Sequence, residues 1–122
     1  MLVNERKGTK SMAEPTLSEV FGISSTQDAA TLVVSKFDWL AVGLTPTAAN
    51  TAESLIVSII LKALPVLTET NRLNDLPNRN IAIAFTGQDL IDQGGGNVFL
   101  RDTYQVSLYR QTTITAVDPD NY

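Results

Sequence analysis

The stretch AESLIVSIILKAL, residues 52–64, limits what this chain can fold into more than any other segment. Asn50 followed three residues later by Glu53 has the form of a capping box and sets the start of a helix at Thr51. Pro65 lacks an amide hydrogen and disfavours helical geometry at Leu64, so the helix ends or kinks there. At about 100° per residue, Thr51, Ser54, Ser58 and Lys62 fall in a stripe about 80° wide, while Leu55, Ile56, Val57, Ile59, Ile60, Leu61, Ala63 and Leu64 span about 240°. One small sheet covers roughly a third to half of a helix. Leaving half of the apolar side chains wet would cost about 1.5–3 kcal/mol for each of the larger ones, a loss that approaches the stability of a small domain. The helix therefore needs a second cover, and a neighbouring subunit is the expected source, because the flanking arms offer too little apolar bulk. Ser58 and Lys62 interrupt the apolar run, which is shorter than the ~18 residues of a membrane span, so bilayer insertion is not expected.

The rest of the chain supplies little to cover such a helix. Its 122 residues suit one domain with its own core. TLSEVFG, 16–22, reads as a short helical turn or extended hook whose Leu17, Val20 and Phe21 tuck into the core or dock on a neighbour. ATLVVSKF, 30–37, is rich in β-branched residues and reads as a strand, followed by a connection through Gly43 and Pro46. Residues 67–80 read as a polar loop, IAIAF at 81–85 as a short strand buried on both faces, and TGQDLIDQGGGN as a mobile connection. VFLRDTYQVSLYRQTTI, 98–114, reads as the longest strand, with Tyr104, Val106 and Leu108 on one face and Gln105, Ser107 and Tyr109 on the other. The order predicts an α+β fold: a small, mainly antiparallel sheet packed with one main helix at about 51–64, with extended N- and C-terminal arms. The expected organisation is a flexible arm over 1–15, a single domain over 16–117 and an acidic tail over 118–122. The sequence changes character at Met12, and residues 1–11 are expected to be an upstream translational extension or an arm outside the core.

Charge and composition remove several function classes. Residues 1–11 carry Arg6, Lys7 and Lys10 against Glu5, a balance of +2, which leaves −6 on the remainder of a chain whose net charge is −4. An acidic body lacks the cationic footprint of phosphate binding, so no nucleic-acid partner is expected. The basic start is followed by no apolar segment of signal-peptide length. Neither cysteine nor histidine occurs, which eliminates disulfides, thiolate nucleophiles, the usual zinc sites and imidazole bases.

The remaining motifs carry weak chemistry. Gly94, Gly95 and Gly96 lack the Lys-Ser/Thr of a phosphate loop and lead into a strand, so a hairpin or solvent loop is the better reading. Asp89 and Asp92, or Asp118, Asp120 and Asn121, supply oxygens for a hard cation but not the ladder of an EF-hand. Ser58 and Lys62 stand one turn apart, as a serine–lysine pair would, but on a stripe that solvent exposure explains. No catalytic, cofactor-binding or metal-binding residue is assigned, and no cofactor is expected. The candidate subunit interface comprises Leu17, Val20, Phe21, Trp39, Ile56, Val57, Ile60, Leu61 and Leu64, although Trp39, the only tryptophan, reads first as core or core edge.

MAEPTLSEVFG, TLVVSK, NTAESLIVSIILKA, LTETN, YQVSLY and the ending DPDNY together give residues 12–122 a pattern that resembles short virion-type proteins of tailed phages, especially phages of photosynthetic bacteria and related prophages. The resemblance carries no catalytic residues. It implies a non-enzymatic structural protein present in repeated copies on the particle, on the head shell ahead of a neck or tail position. Its implied partners are itself and other virion proteins, and its location the virion, with the host cytoplasm during assembly. A small-ligand module in which the GGG loop closes near Asp89 and Asp92, and a hydrolase using carboxylates alone, are the alternatives.

Overall fold

The computed structural model describes residues 14–110, 112 and 119–121. The expectations for residues 1–11 and for Asp118 lie outside the described residues. Helix α1 (Leu17–Phe21) begins at a capping box: Thr16 Oγ1 accepts from Glu19 N–H, and Glu19 Oε1 accepts from Thr16 N–H. It stops at Gly22, whose φ of 128° is accessible to glycine and whose missing Cβ leaves room for Asp38; a Cβ there would lie 2.6 Å from the Asp38 side chain. Asp38 in turn accepts from the backbone N–H and hydroxyl of Ser24.

The segment 30–37 departs from the expected strand. Strands β1 (Thr26–Gln27) and β2 (Leu32–Val33) form an antiparallel pair only two residues long, and Lys36–Val42 is a 3-10 helix. Asp28 Oδ1 accepts from the N–H groups of Ala30 and Thr31 and so closes a tight turn directly before β2. The β-branched run thus finds two ladder partners and no sheet to join. The 3-10 helix carries Trp39, which is 2% exposed and donates its indole N–H to Phe21 O at 2.8 Å. This hydrogen bond ties α1 to the 3-10 helix and satisfies the one polar atom of the largest buried side chain.

Helix α2 (Ala52–Ala63) runs where the sequence places it. Its cap is Thr51, whose hydroxyl accepts from Ser54 N–H, rather than Asn50. Asn50 instead closes the preceding turn, accepting from Thr47 N–H and donating to Thr45 O. α2 packs on α1 and on the 3-10 helix. The polar stripe does not face solvent as expected: Ser58 is buried, and it donates to Ser54 O at 2.9 Å, so its burial strands no hydroxyl. The outward side instead presents Ile56 and Val57, 57% and 52% exposed. Small residues admit short neighbouring helices at close range, and this decides which side of α2 turns inward.

The expected polar loop contains helix α3 (Glu69–Asn74), capped by Thr68. Two long strands follow, β3 (Ile81–Asp92) and β4 (Val98–Leu108), paired antiparallel from Ile81–Leu108 to Asp92–Val98. IAIAF is therefore the base of a strand more than twice its length, and of its residues only Ala82 is buried. Residues 86–92 are strand rather than connection. Gln93 to Asn97 close the hairpin; Gly94, Gly95 and Gly96 all have φ between 62° and 84°, a left-handed run that accounts for the glycines. The hairpin joins the body at its base, where Ile83 N–H donates to Leu67 O at 2.7 Å and α3 packs on β3. Tyr109 adds a hydroxyl contact to Glu69 and an aromatic face 3.7 Å beneath the Arg72 guanidinium.

Because Trp39 is the only large side chain sealed from water among the described residues, Trp39→Ala is expected to remove about 3–5 kcal/mol of stability. Denaturant unfolding at one fixed protein concentration measures this.

Candidate assembly interface

Cross-strand partners share a face of the hairpin, so the pairing defines its two surfaces. One carries Ile81–Leu108, Ile83–Val106 and Phe85–Tyr104, then Gln88–Asp102, then Leu90–Leu100 and Asp92–Val98. The other carries Ala82–Ser107, Ala84–Gln105, Gly87–Thr103, Asp89–Arg101 and Ile91–Phe99. A bulge at Thr86 shifts the register by one residue between Phe85 and Gly87. Without that shift Asp89 would oppose Leu100, and Leu90 would oppose Phe99. With it, Asp89 meets Arg101, Leu90 meets Leu100 and Ile91 meets Phe99.

The apolar face is open. Phe85 is 50% exposed, Val106 53%, Leu90 71% and Leu108 75%. Within one chain this face has no cover over most of its length, because a two-stranded ribbon offers no second layer. Eighteen large apolar or aromatic side chains are exposed among the described residues, against four buried apolar residues, an imbalance beyond the scattered surface leucines of ordinary monomers.

Toward its middle the apolar face confronts the outward side of α2. Val57, Ile60 and Leu61 form one wall of a cleft of about 400 Å³, and Tyr104 and Asp102 form the other. Tyr104 is held edge-on to Phe85, ring centroids 5.3 Å apart, and Asp102 accepts from Gln88 Nε2 at 2.7 Å. The hairpin wall is thus held by contacts between its two strands.

The structure divides the candidate interface residues. Ile56 and Val57 stand outward, and Ile60 and Leu61 line the cleft beside Val57, half-buried. Leu17, Val20 and Phe21 are partly covered on α1, which packs on α2 of the same chain, and Leu64 is partly covered at the end of α2. Trp39 is a correction: it is sealed in its own body and offers nothing to a partner. Sequence reasoning missed Leu90, because the polar residues and glycines around it read as a connection, and it left Val98, Phe99 and Leu100, read as the start of a strand, out of the candidate interface. The available signal was complementary polar chemistry on segments that a glycine turn brings together, the charges of Asp89 with Arg101 and the amide of Gln88 with the carboxylate of Asp102.

The other candidate groups are engaged elsewhere. Asp89 makes a two-point ion pair with Arg101, at 3.0 and 2.7 Å, and Asp92 accepts from Gly94 N–H within the turn. Among the described residues no three histidine, cysteine or acidic side chains gather as metal ligands. Ser58 donates to a carbonyl and lies buried, unlike an available nucleophile. No helix of the described residues is long and apolar enough to cross a membrane. Comparison with known proteins finds no matching family model, no matching curated protein and no matching solved structure.

The Arg101 hydrogen bonds hold the Asp89 carboxyl below its ordinary range, as Arg72 does for Glu69 and as the Ala30 and Thr31 amides do for Asp28. Each depressed carboxylate stabilises the fold fully above its unfolded value, near 4, and loses that contribution as pH falls through its lower folded value. Thermal unfolding is expected to occur at lower temperature as pH drops from about 5 to 2. Asp89→Asn is expected to remove part of that dependence, which a melting series against pH measures.

Proposed function

We propose that the protein is a non-enzymatic structural subunit that works as repeated copies in an assembly, and that the assembly is the virion of a tailed phage. The observation that carries the first part is the exposed, largely apolar surface formed by the outward side of α2 and one face of the β3–β4 hairpin, broken by the Gln88–Asp102 pair. Side chains 50–75% exposed along that surface, such as Val57, Phe85, Val106 and Leu108, gain about 1–2 kcal/mol each on burial of what remains exposed. Association supplies that burial where the chain itself does not. The second part rests on the resemblance of residues 12–122 to tailed-phage virion proteins, with head decoration taken ahead of a neck or tail position. A small subunit bearing a long projecting hairpin suits such a role, since repeated modest contacts sum to a stable particle.

Sedimentation of the purified chain at micromolar concentration is expected to give a species several times heavier than its 13.2 kDa. A stable single-chain species across that range would refute the proposal.

A further inference from the structure

We infer that the outer edge of β4 pairs antiparallel with the same edge of a second copy, joining two hairpins about a two-fold axis at Thr103 into one four-stranded sheet. This rests on the assembly reading above and names its contact.

The two edges of the hairpin differ. Ladder bonds in an antiparallel pair fall on every second residue, and both ends of this ladder are fixed: Tyr109 N–H donates to Asn80 O at the base, and Gln93 N–H donates to Asn97 O at the tip. Counted from either end, the backbone groups of Val98, Leu100, Asp102, Tyr104, Val106 and Leu108 turn away from β3, and the two counts agree at Thr103. The outer edge of β4 therefore keeps one phase over its whole length. On β3 the phase breaks at the Thr86 bulge, and near the base Ile83 N–H is already taken by Leu67 O. Bulges and covered amides blunt an edge against pairing. β4 has no bulge, and neither proline nor glycine occurs between 98 and 108. Among the described residues no backbone hydrogen bond reaches its outward groups.

The sequence of β4 selects the partner. A two-fold axis normal to the sheet keeps both apolar faces on one side and brings the same edge of each copy together. In the register of full overlap Thr103 meets its own copy on the axis. Val98 then opposes Leu108 and Leu100 opposes Val106 on the apolar face, Asp102 opposes Tyr104, and Arg101 opposes Gln105 on the other face. No like charges meet. Sliding one copy by two residues sets Asp102 against its own copy in one direction and against Val106 in the other, so the longest overlap is also the one without charge conflict. A strand from either end of the same chain, or from a different protein, would place no such demand on how β4 matches itself. Edge pairing leaves the apolar face open, so the two-fold unit is still able to build larger assemblies.

The test uses the full-length chain, which has no cysteine. In Thr103→Cys the two thiols face each other in a non-hydrogen-bonded pair with Cα atoms about 4.5 Å apart, within the roughly 4.4–6.8 Å that a disulfide spans. Oxidation is expected to give a linked species of twice the chain mass. Arg101→Cys or Gln105→Cys alone is expected to stay unlinked, since each lies about 13 Å along the strand from its own copy at ~3.3 Å per residue. Mixed one to one, those two variants are expected to give linked heterodimers. An assembled Thr103→Cys chain that fails to link, or either neighbour linking alone as readily, would overturn the inference. Should a substitution disturb the fold, hydrogen exchange on the wild type decides. The amides of Leu100, Tyr104 and Val106 are expected to be protected in the assembly and to lose that protection on dilution to single chains, while those of Arg101, Gln105 and Ser107 stay slow in both. Outward amides that exchange freely in the assembly, or that stay slow in dilute single chains because the chain's own ends cover them, would count equally against it. A wild type that never associates removes the assembly reading itself, whereas an assembled protein without the Thr103 link removes only this contact.

Discussion

Two antiparallel strands satisfy their facing backbone groups but supply only a single layer, and in this protein that layer is apolar along most of one side. Every other feature of the molecule follows from where that surface goes uncovered. The body meets it only where α2 faces Tyr104, because the hairpin leaves the body at Ile83 and Tyr109 and extends roughly 36 Å at ~3.3 Å per residue. The outward side of α2 adds to the same surface instead of shielding it. Interior-like composition is therefore placed on the outside of a single chain, which is how subunits of obligate assemblies are built.

The body manages with little interior because it is tied by directed bonds. Trp39 reaches Phe21 O, Asp38 reaches Ser24, and the missing side chain of Gly22 makes the approach of Asp38 possible. The indole bond is modest, about 0.5–1.5 kcal/mol as a neutral hydrogen bond, but together with the Asp38 contacts it orients short helices that would not persist alone. The same economy operates at the hairpin base, where Arg72 bridges Glu69 and the ring of Tyr109.

Much of this was legible in the chain. The α2 boundaries follow from a polar cap and Pro65, and its surplus of apolar residues is a matter of counting. The α+β class, with antiparallel pairing, also follows from the pattern. The side of α2 that turns inward was not legible, since a hydrophobic count ignores how closely small residues let neighbouring helices approach. Nor was the strand over 86–92, where Gly87, Gln88 and Asp89 read locally as loop. Their strand character comes from partners on β4, and a one-residue bulge hides the register from any local pattern. The Thr31–Val34 run shows the converse: strong local β preference yields two paired residues when no neighbouring strand exists to extend the ladder.

The bulge at Thr86 also makes the projecting ribbon a ruler. Side chains alternate between surfaces at each step, so adding one residue to each strand between stem and tip would turn the tip's leucines to the opposite side. Only additions of two residues per strand keep them in place, each lengthening the reach by about 7 Å. Spacing between whatever the stem and the tip engage is thereby graduated, and related chains that bridge wider or narrower gaps would do so in those increments.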